Sequence, residues 1–344
     1  MAYLRDRLTA VKIAIRGVLT RTKIIAVTAG AVVGSICLSF IPRIRSINAG
    51  GDPNATSSYY AVYVTFNKYG NVADYIADQI AALSDLGYRV LVISNSKELS
   101  DQNLAKLSRD AWKVLHRRNI GWDFGAYKDG IVHIGSLNRL TSLILMNDSC
   151  YGPIGDLRRF ESNARAGNAH VWGITDSWWD RYHIQSYFLR IGNLALCSNA
   201  FQRFWARQLP YQPRSLVIRN GEIRFTQVML RAGMKTAVLC PYQAVASQAL
   251  EKIITRLTAR NARIPTRERQ HLRTLADHIA AGSSLNPMHS FWDILITEFS
   301  CPFLKKDLLR RNPTAIPNLY RWEQVILNHT QYDVEKIKQD LQIY

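Results

Sequence analysis

The stretch SLILMNDSCYGP, residues 142–153, combines the two features that decide the fold. Its four consecutive apolar residues, 143–146, run directly into Asn147, Asp148 and Ser149 and then into a Gly-Pro turn. A short apolar run between turn signals is typical of a strand buried on both faces, as in a parallel sheet. Because this strand ends on a carboxylate, Asp148 is either a cap of the following turn or a ligand for a bound group.

The segments that precede this stretch alternate between strand and helix patterns. Buried strands are predicted at residues 61–66, 89–94 and 112–117, and amphipathic helices at residues 73–86 and 98–109. This alternation predicts an α/β fold with a mostly parallel sheet and helices on both faces. We therefore expect polar residues at the carboxyl ends of the strands to line one crevice, where such sheets bind their ligands.

Four stretches follow the predicted strands: TFNKYG (65–70), SNSKE (94–98), RRNIGWDFGAYKDG (117–130) and MNDSCYG (146–152). The polar candidates that they supply for donor binding are Asn67, Asn95, Arg117, Arg118, Asn119, Asp123, Lys128 and Asn147. The cations could neutralise a diphosphate, and Asp123 could accept hydrogen bonds from sugar hydroxyls. The alternative for Asp123 is the N-cap of a helix. The glycine spacing matches neither a P-loop nor a dinucleotide fingerprint.

The chain carries a formal net charge of +18, which indicates an anionic partner. Nucleic acid, anionic lipid headgroups and phosphorylated small molecules all fit this charge. We predict no nucleic-acid partner, because the basic residues are dispersed and no zinc-finger or RNP-type motif occurs. The five cysteines are odd in number and widely spaced, which favours reduced, buried thiols in a cytosolic compartment.

The first part of the chain has the composition of a membrane-associated segment. We predict a basic amphipathic helix and an apolar segment over residues 1–45, a linker over 46–58, and one large domain over 59–344. Residues 24–41 carry no charge, which is barely enough to span a hydrocarbon core of about 30 Å. A buried or interfacial helix is the alternative. The basic flank would place the rest of the chain outside the cytoplasm, whereas the thiols favour the inside. A helix pair in the inner leaflet satisfies both, so we expect the protein on the cytoplasmic face of the inner membrane.

Several longer motifs occur in an order that resembles the rhamnan synthesis F family. They are TFNKYGNVADYI, VLVISNS, RRNIGWDFGAYKDG, LILMNDSCYGP, VWGITDS, HIQSYFL, NPMHSFWDILI and CPFLKKDLLRRNP, and together they cover roughly residues 58 to 340. The resemblance implies a GT-A-like (Rossmann-like) α/β glycosyltransferase fold. It also implies transfer of a deoxyhexose such as rhamnose from a nucleotide-sugar donor to a polysaccharide, lipopolysaccharide or lipid-linked glycan acceptor.

The resemblance assigns a metal site to the MNDS turn. Asp148 would be the carboxylate that binds Mg²⁺ or Mn²⁺ with the donor diphosphate, and His289 in NPMHSFWD would be a further ligand. The sequence departs from the usual DxD pattern, because Asn147 and Ser149 flank a single carboxylate. Arg117, Arg118 or Lys128 could supply the positive charge instead. From the residues alone, a lone histidine such as His289 is more often a packed side chain than a ligand.

The resemblance also identifies a candidate catalytic base. Glu222 follows Gly221 at the start of the stretch GEIRFTQVMLRAGM (221–234), which resembles the helix beside the acceptor in GT-A enzymes, and Asp176 in GITDS is the second candidate. An inverting transfer needs a carboxylate that removes the acceptor hydroxyl proton. The alternative for Glu222 is a surface residue in the first turn of a helix.

The motif HIQSYFL supplies candidate acceptor-binding residues. Gln185, Ser186 and Tyr187 could bond to sugar hydroxyls, or could simply form a polar strand edge. The nearby Trp178, Trp179 and Tyr182 could stack on a sugar ring or form an ordinary aromatic cluster.

Two basic stretches complete the pattern. Residues 256–273 and the segment PFLKKDLLRRNP (302–313) are both predicted as exposed cationic helices. A noncatalytic membrane-associated scaffold of a polysaccharide-assembly complex is the rival function, and the single carboxylate of MNDS favours it. Convergence of Asp148, Glu222 and His289 on one pocket would favour the enzyme.

Overall fold

The structure is a computed structural model that describes residues 29–259 and 263–342. Residues 29–39 are helical and are labelled α1. Across the described ranges, no helix is both long enough and apolar enough to cross a membrane. Most of the amphipathic and apolar segment predicted over residues 1–45 lies outside the described residues, so its membrane association stays a prediction.

Nine strands of the described residues form one large sheet, and two short strands form a separate ladder. The strands are β1 (Ile44–Ala49), β2 (Tyr59–Thr65), β3 (Arg89–Ser94), β4 (Lys113–Arg117), β5 (Ser142–Asn147), β6 (Cys150–Tyr151), β7 (Val171–Ser177), β8 (His183–Ile184), β9 (Phe188–Gly192), β10 (Thr236–Cys240) and β11 (Leu304–Lys305). The order in the large sheet is β1-β4-β3-β2-β5-β9-β7-β10, with β8 paired to β7.

Most strands of the large sheet run in one direction. Strand β2 is parallel to β3 and β5, β3 is parallel to β4, and β7 is parallel to β10. Strand β9 runs the opposite way between β5 and β7, and β1 is antiparallel to β4 at the edge. The predicted α/β fold with a mostly parallel sheet is confirmed.

Helices pack on both faces of this sheet. They are α2 (Asp74–Asp85), α3 (Asp101–Ser108), α4 (Trp122–Ile134), α5 (Leu157–Ala166), α6 (Asn193–Leu196), α7 (Asn199–Arg207), α8 (Arg214–Val217), α9 (Arg224–Arg231), α10 (Tyr242–Thr258), α11 (Thr266–Ala280), α12 (Pro287–Ser290), α13 (Trp292–Thr297), α14 (Lys306–Arg311), α15 (Trp322–His329) and α16 (Glu335–Gln342). Alternate residues of β2 belong to two separate apolar clusters: Ala61 and Tyr63 to one, Val62 and Val64 to the other. Since successive strand side chains point to opposite faces, each face has its own core.

The start of the sheet overlaps the predicted linker over residues 46–58. Strand β1 covers residues 44–49 and pairs with β4, although Ile44 and Ile47 are exposed. Backbone pairing holds this edge, and it continues where the Gly50 amide donates to the Trp112 carbonyl at 2.9 Å. A β-carbon at Gly50 would lie 2.1 Å from the Ala111 carbonyl oxygen. The composition of this stretch predicted a linker and no strand, because the strand is held by backbone hydrogen bonds and not by apolar side chains.

Three helix predictions also differ from the structure. The helix expected over residues 221–234 continues an earlier turn that begins at Arg214, so Glu222 lies within the helical segment and not at its start. The basic stretch 256–273 contains the end of α10 and the start of α11. The segment 302–313 is a strand followed by a helix, and Phe303, Leu304 and Leu308 are buried. Its apolar residues contribute to the core, so the segment is not an exposed cationic helix.

Strands β6 and β11 bring this C-terminal segment onto the MNDS turn. Leu304 pairs with Tyr151 and Lys305 with Cys150 in an antiparallel ladder. The Lys306 amide then donates to the Ser149 carbonyl at 3.1 Å. Two motifs that are more than 150 residues apart thus form one wall. Of the five cysteines, Cys37 and Cys197 are exposed, which corrects the expectation that every thiol is buried.

Candidate functional site

A crevice of about 410 Å³ lies at the carboxyl ends of β5 and β7. The following residues line it: Trp122, Asp123, Phe124, Asn147, Ser149, Ser177, Trp179, His183, Gln185, Ser186, Tyr187, Arg214, Val217, Ile218, Glu222, Ser284, Asn286, His289, Lys305 and Asp307. This is the edge of the sheet at which the alternating strand pattern predicts a ligand site. Six of its residues, namely Asp123, Asn147, Gln185, Ser186, Tyr187 and Glu222, come from the predicted donor, acceptor and catalytic sets, and His289 comes from the predicted metal set.

A π-helical turn, Ile218–Ile223, carries Glu222 into the crevice. Such turns are rare and are often found at functional sites. The turn approaches α4 closely, because a β-carbon on Gly221 would lie 2.7 to 2.9 Å from the ring of Phe124. Glycine at this position therefore allows the approach that directs the Glu222 side chain toward β8 and β9.

The carboxylate of Glu222 has two partners. Ser186 donates its hydroxyl to Oε2 at 2.9 Å, and Nε2 of His183 lies 3.4 Å from Oε1. The Glu222 side chain is 20% exposed, whereas that of His183 is 4% exposed. Each carboxylate oxygen has two lone pairs, so Glu222 can still accept a proton from a molecule in the crevice.

The two groups shift each other's pKa. Burial acts to raise the pKa of Glu222, but His183 and the Ser186 hydroxyl outweigh it, so the pKa lies below its ordinary value. Burial acts to lower the pKa of His183, but Glu222, the Arg181 carbonyl and the charge of Asp176 raise it above its ordinary value. The pair is therefore stabilised as imidazolium and carboxylate.

The tautomer of His183 explains why this pair holds a proton. Nδ1 lies 2.7 Å from the Arg181 carbonyl oxygen, which can only accept, so Nδ1 carries a proton. A neutral ring would then present the lone pair of Nε2 to the carboxylate of Glu222. An additional proton on Nε2 converts that repulsion into a charge-assisted hydrogen bond.

Asp123 faces the same crevice from the first turn of α4. The Asn147 amide donates to its Oδ2 at 2.9 Å. Burial raises the pKa of Asp123 to about 6, and the charge of Asp148 adds to the rise while Lys305 opposes it. The N-cap of α4 is Gly121, so the capping alternative for Asp123 does not apply.

Asp148 does not line the crevice. Its Oδ2 accepts from the Thr65 hydroxyl at 3.0 Å and from the Phe66 amide at 3.2 Å, and the Lys306 ammonium lies 3.7 Å away. These bonds tie the MNDS turn to the end of β2. A second ammonium, that of Lys305, donates to Ser149 at 3.0 Å on the other side of the turn.

The predicted Mg²⁺ or Mn²⁺ ligands fit these positions poorly. His289 lines the crevice and Asp148 does not, and two ammonium groups lie against the turn, where they would repel a divalent cation. In the ranges 29–259 and 263–342, no cluster of three or more His, Cys, Asp or Glu residues has the arrangement of a metal site.

His289 is neutral in its surroundings. Burial lowers its pKa to about 4, and the charges of Lys305 and Arg214 contribute, while Asp307 opposes them. Its Nε2 is buried without a hydrogen-bond partner among the described residues. A neutral ring next to two cations can accept a hydrogen bond from a ligand in the crevice.

Several predicted donor-binding residues have structural partners and do not line the crevice. Arg117 is fully buried and bonds to Asp129 at 3.0 Å, to the Asn95 amide oxygen at 2.6 Å and to the Ile120 carbonyl at 2.7 Å. The Asp129 carboxylate also bonds to Arg43. This network joins the ends of β3 and β4 to α4.

The other members of this group contact helix ends or lie in loops. Lys128 donates to the carbonyls of Ala206 and Gln208, at the end of α7. The amide oxygen of Asn67 accepts two backbone amides of its own loop. Arg118 is exposed, and the amide oxygen of Asn119 is buried without a hydrogen-bond partner within residues 29–259 and 263–342.

Asp176 is placed at the start of a helix and not in the crevice. Its Oδ1 accepts from the backbone amide of Tyr242, the first residue of α10, at 2.6 Å. Burial raises its pKa, and this hydrogen bond opposes the rise. Asp176 therefore acts as a cap for α10, and Glu222 is the candidate carboxylate that the crevice contains.

The acceptor candidates line one wall of the crevice. Gln185 is fixed by the Thr175 hydroxyl at 2.7 Å, and the phenol of Tyr187 lies 2.9 Å from the same hydroxyl. Trp179 lines the crevice and is largely exposed, whereas Trp178 packs on Tyr182 with ring centroids 5.1 Å apart. Trp179 is thus the tryptophan of the pair that is placed to contact a sugar ring.

Sequence reasoning missed several residues of the crevice, among them Trp122, His183, Arg214 and Lys305. His183 is in the quoted motif HIQSYFL, and Lys305 is in CPFLKKDLLRRNP. Their motifs were recognised, but only the fold shows which side chain faces the crevice. Trp122 has a positive φ of 51° directly after Gly121 in the left-handed region, and this local geometry is not visible in the sequence.

The fold and crevice define an α/β protein with a crevice at the carboxyl ends of a mostly parallel sheet. Comparison with known proteins supports one family. Residues 90–259 match the family model described as "Rhamnan synthesis protein F", so the resemblance seen in the motifs is confirmed. By its name, this family is associated with the synthesis of a polysaccharide.

Two relatives are similar over different lengths of the chain. Virulence protein VirA of Vibrio anguillarum is 28% identical over 255 residues, which cover 72% of this chain and 78% of that protein. The uncharacterized protein y4gN of Sinorhizobium fredii is 33% identical over 156 residues, which cover 43% of this chain and 40% of that protein.

Proposed function

We propose that the protein is a GT-A-type glycosyltransferase that transfers a deoxyhexose, rhamnose in the first instance, from a nucleotide-sugar donor to a cell-surface polysaccharide or lipopolysaccharide glycan. The observation that supports it best is Glu222, a carboxylate held by His183 and Ser186 in a crevice at the strand ends. The match of residues 90–259 to the rhamnan synthesis protein F family model supports the polysaccharide product.

In this proposal Glu222 is the general base. It takes the proton of the acceptor hydroxyl while the acceptor oxygen forms a bond to the anomeric carbon of the donor sugar. The bond between that carbon and the diphosphate oxygen breaks, and its electron pair leaves with the diphosphate. Such a positioned base typically accelerates a reaction by about 10² to 10⁴. The lowered pKa of Glu222 keeps it in the deprotonated form that this role requires.

The walls of the crevice fit a sugar and a nucleotide. Trp122 and Trp179 are exposed at 41% and 59% and line the same crevice, where their rings can stack on sugar or base faces. Asp123 and Asn147 offer hydrogen-bonding groups to ribose or sugar hydroxyls. We assign the donor to the side of Asp123 and Asn147 and the acceptor to the side of Ser186 and Glu222.

We further propose that the protein works at the cytoplasmic face of the inner membrane on a glycan or lipid-linked glycan acceptor. The net charge of +18 and the basic, apolar composition of residues 1–45 support an anionic membrane surface as a partner. Nucleic acid is not part of this proposal.

A noncatalytic scaffold of a polysaccharide-assembly complex is the second candidate. It is favoured by the position of Asp148, which supports the MNDS turn through Thr65 and Phe66 and does not line the crevice with Glu222 and His289. On this account the crevice would bind no nucleotide-sugar.

Thermal-shift and calorimetric titrations with a panel of nucleotide-sugars separate the two candidates. A donor that binds the folded state raises the melting temperature by mass action. The Asp123→Ala variant is expected to bind that donor more weakly. Arg118→Ala is the matched control, because this residue is exposed and does not line the crevice. If no nucleotide-sugar binds the full chain at millimolar concentration, the transferase proposal is rejected and the scaffold is favoured.

A further inference from the structure

Two consecutive lysines reach the MNDS turn from β11 and the start of α14, and they point in different directions. Lys306 lies 3.7 Å from Asp148 and donates to the Tyr75 hydroxyl, so it contacts the turn without lining the crevice. Lys305 donates to the Ser149 hydroxyl at 3.0 Å and lines the crevice. The ladder between β6 and β11 fixes this arrangement through the pairing of Lys305 with Cys150.

The charge of Lys305 is not matched by a carboxylate. Within residues 29–259 and 263–342, no Asp or Glu oxygen lies at ion-pair distance from its ammonium. Its contacts are the neutral hydroxyl of Ser149 and the ring of Tyr187, whose centroid is 5.1 Å away. A partly buried cation without a counter-ion is costly, so its position is favourable when an anion binds beside it.

The acidic residues of the crevice have other partners. Glu222 is paired with His183, and Asp307 lies 3.4 Å from Arg311. Asp123 is bonded to the Asn147 amide, and its carboxyl is partly protonated near pH 6. These pairings leave the charge of Lys305 available to a ligand.

A second cation lies at the edge of the same crevice. Arg214 is exposed at the start of α8, and it has no hydrogen-bond or ion-pair partner for its side chain among the residues that the structure describes. Both cations act on the neighbouring His289, since their charges contribute to lowering its pKa. The crevice therefore presents two unmatched positive charges around one neutral imidazole.

We propose that Lys305, assisted by Arg214, binds the diphosphate of the donor directly and that this binding needs no divalent cation. The inference rests on the proposed transferase function and names the residues that take the place of a metal. An ammonium can stabilise the negative charge that develops on the diphosphate as the sugar bond breaks. The poor fit of a divalent cation to the MNDS turn follows from the same two lysines.

The test is a calorimetric titration of the full chain with nucleosides and the matching nucleoside diphosphates of the five common bases, in EDTA and again with Mn²⁺. We expect diphosphate binding in EDTA, with an affinity that Mn²⁺ changes by less than about threefold. Lys305→Gln is expected to lower the affinity for the diphosphate roughly tenfold or more, which is the usual effect of losing one charged hydrogen bond. The affinity for the nucleoside is expected to stay the same.

Three further variants control for charge and folding. Lys305→Arg keeps the charge and should retain most of the affinity. Lys306→Gln removes the neighbouring lysine that does not line the crevice and should leave the affinity unchanged. Arg214→Gln changes an exposed side chain, so it tests the second cation without destabilising the fold. We expect it to lower the affinity for the diphosphate several-fold.

The outcomes separate this inference from the proposed function. Binding that appears only with Mn²⁺, or equal affinity of wild type and Lys305→Gln, would overturn the role of Lys305 and leave the transferase proposal standing. If neither nucleosides, diphosphates nor nucleotide-sugars bind under any condition, both proposals are rejected.

Discussion

Replacing Glu222 by glutamine should change the protonation of His183. In the wild type, Nε2 of His183 lies 3.4 Å from the carboxylate, and the pKa of His183 is raised above its ordinary value despite burial. The substitution removes the negative charge and keeps the size of the side chain. The burial that acts to lower the pKa of His183 remains. We therefore expect the pKa of His183 in Glu222→Gln to fall below 6.5, its ordinary value.

The size of this change follows from the separation of the two groups. Opposite charges 3.4 Å apart attract by about 5 kcal/mol at an effective dielectric constant of about 20. Glu222 is partly exposed, so solvent screens some of this attraction. Even about a third of that energy corresponds to a fall of more than about one pKa unit.

The assay is an NMR titration of the imidazole resonances. The chain has eight histidines, and the signal of His183 is identified by its absence in His183→Asn. Ser186→Ala is the control, because it removes the hydrogen bond to Oε2 and leaves the charge of Glu222 in place. A pKa for His183 at or above 6.5 in Glu222→Gln would show that the two residues are not coupled as the structure indicates.

Three stability predictions test how the crevice is built. Gly221→Ala should lower the free energy of unfolding by about 1 to 3 kcal/mol, since its β-carbon would overlap the Phe124 ring, whereas Gly34→Ala, with open space around it, should not destabilise; urea unfolding measures both. Arg117→Met should lower the free energy of unfolding by about 3 to 5 kcal/mol, because it leaves buried polar groups unpaired. The exposed Arg118→Ala should lower it by less than about 0.5 kcal/mol. Because the folded pKa of His289, about 4, lies below the ordinary 6.5, the unfolded chain takes up the proton first as the pH falls. Stability should therefore be lost as the pH falls from 6.5 to 4. The free energy of unfolding of the wild type should be about 2 kcal/mol lower at pH 5 than at pH 7 because of His289, and His289→Asn should remove that contribution. An unchanged pH dependence in the variant would contradict the buried, neutral state of His289.

The strands and helices of the first half could be predicted because their apolar periodicity reflects burial directly. Strand β3 has the predicted bounds, and β5 ends at Asn147, one residue before the predicted end. Strand β9 was not predicted as a reversed strand at the centre of the sheet. Its buried Arg190 bonds to Glu161, a residue of α5, at 3.0 Å, and such a distant partner cannot be read from a local pattern.

The candidate site was predicted in part for a related reason. Glu222 and Ser186 were selected from their motifs, and the structure brings them within 2.9 Å. Arg117 was selected for its charge, but it is buried and fully bonded, because charge alone does not distinguish a ligand-binding cation from a structural one. Lys305 was passed over because the stretch around it has the composition of an exposed helix, and only its pairing with Cys150 places it at the crevice.

The membrane-associated N-terminal segment and the placement of the protein at the inner membrane remain predictions from composition. Residues 1–28 lie outside the described ranges, and only residues 29–39 of the apolar stretch are seen as helix. The crevice and its contacts do not depend on that segment. The chemistry of the site can therefore be tested on the full chain whatever its membrane association.

Sugar transfer with Glu222 as the general base can be measured in a single assay. The full chain is incubated with nucleotide-sugars and rhamnose-containing envelope glycan, and release of nucleoside diphosphate is measured together with the mass of the glycan. We expect transfer by the wild type and a loss of about 10² or more in rate for Glu222→Gln, with donor affinity retained. Equal rates for the two proteins, or donor binding without any transfer to glycan, would contradict it.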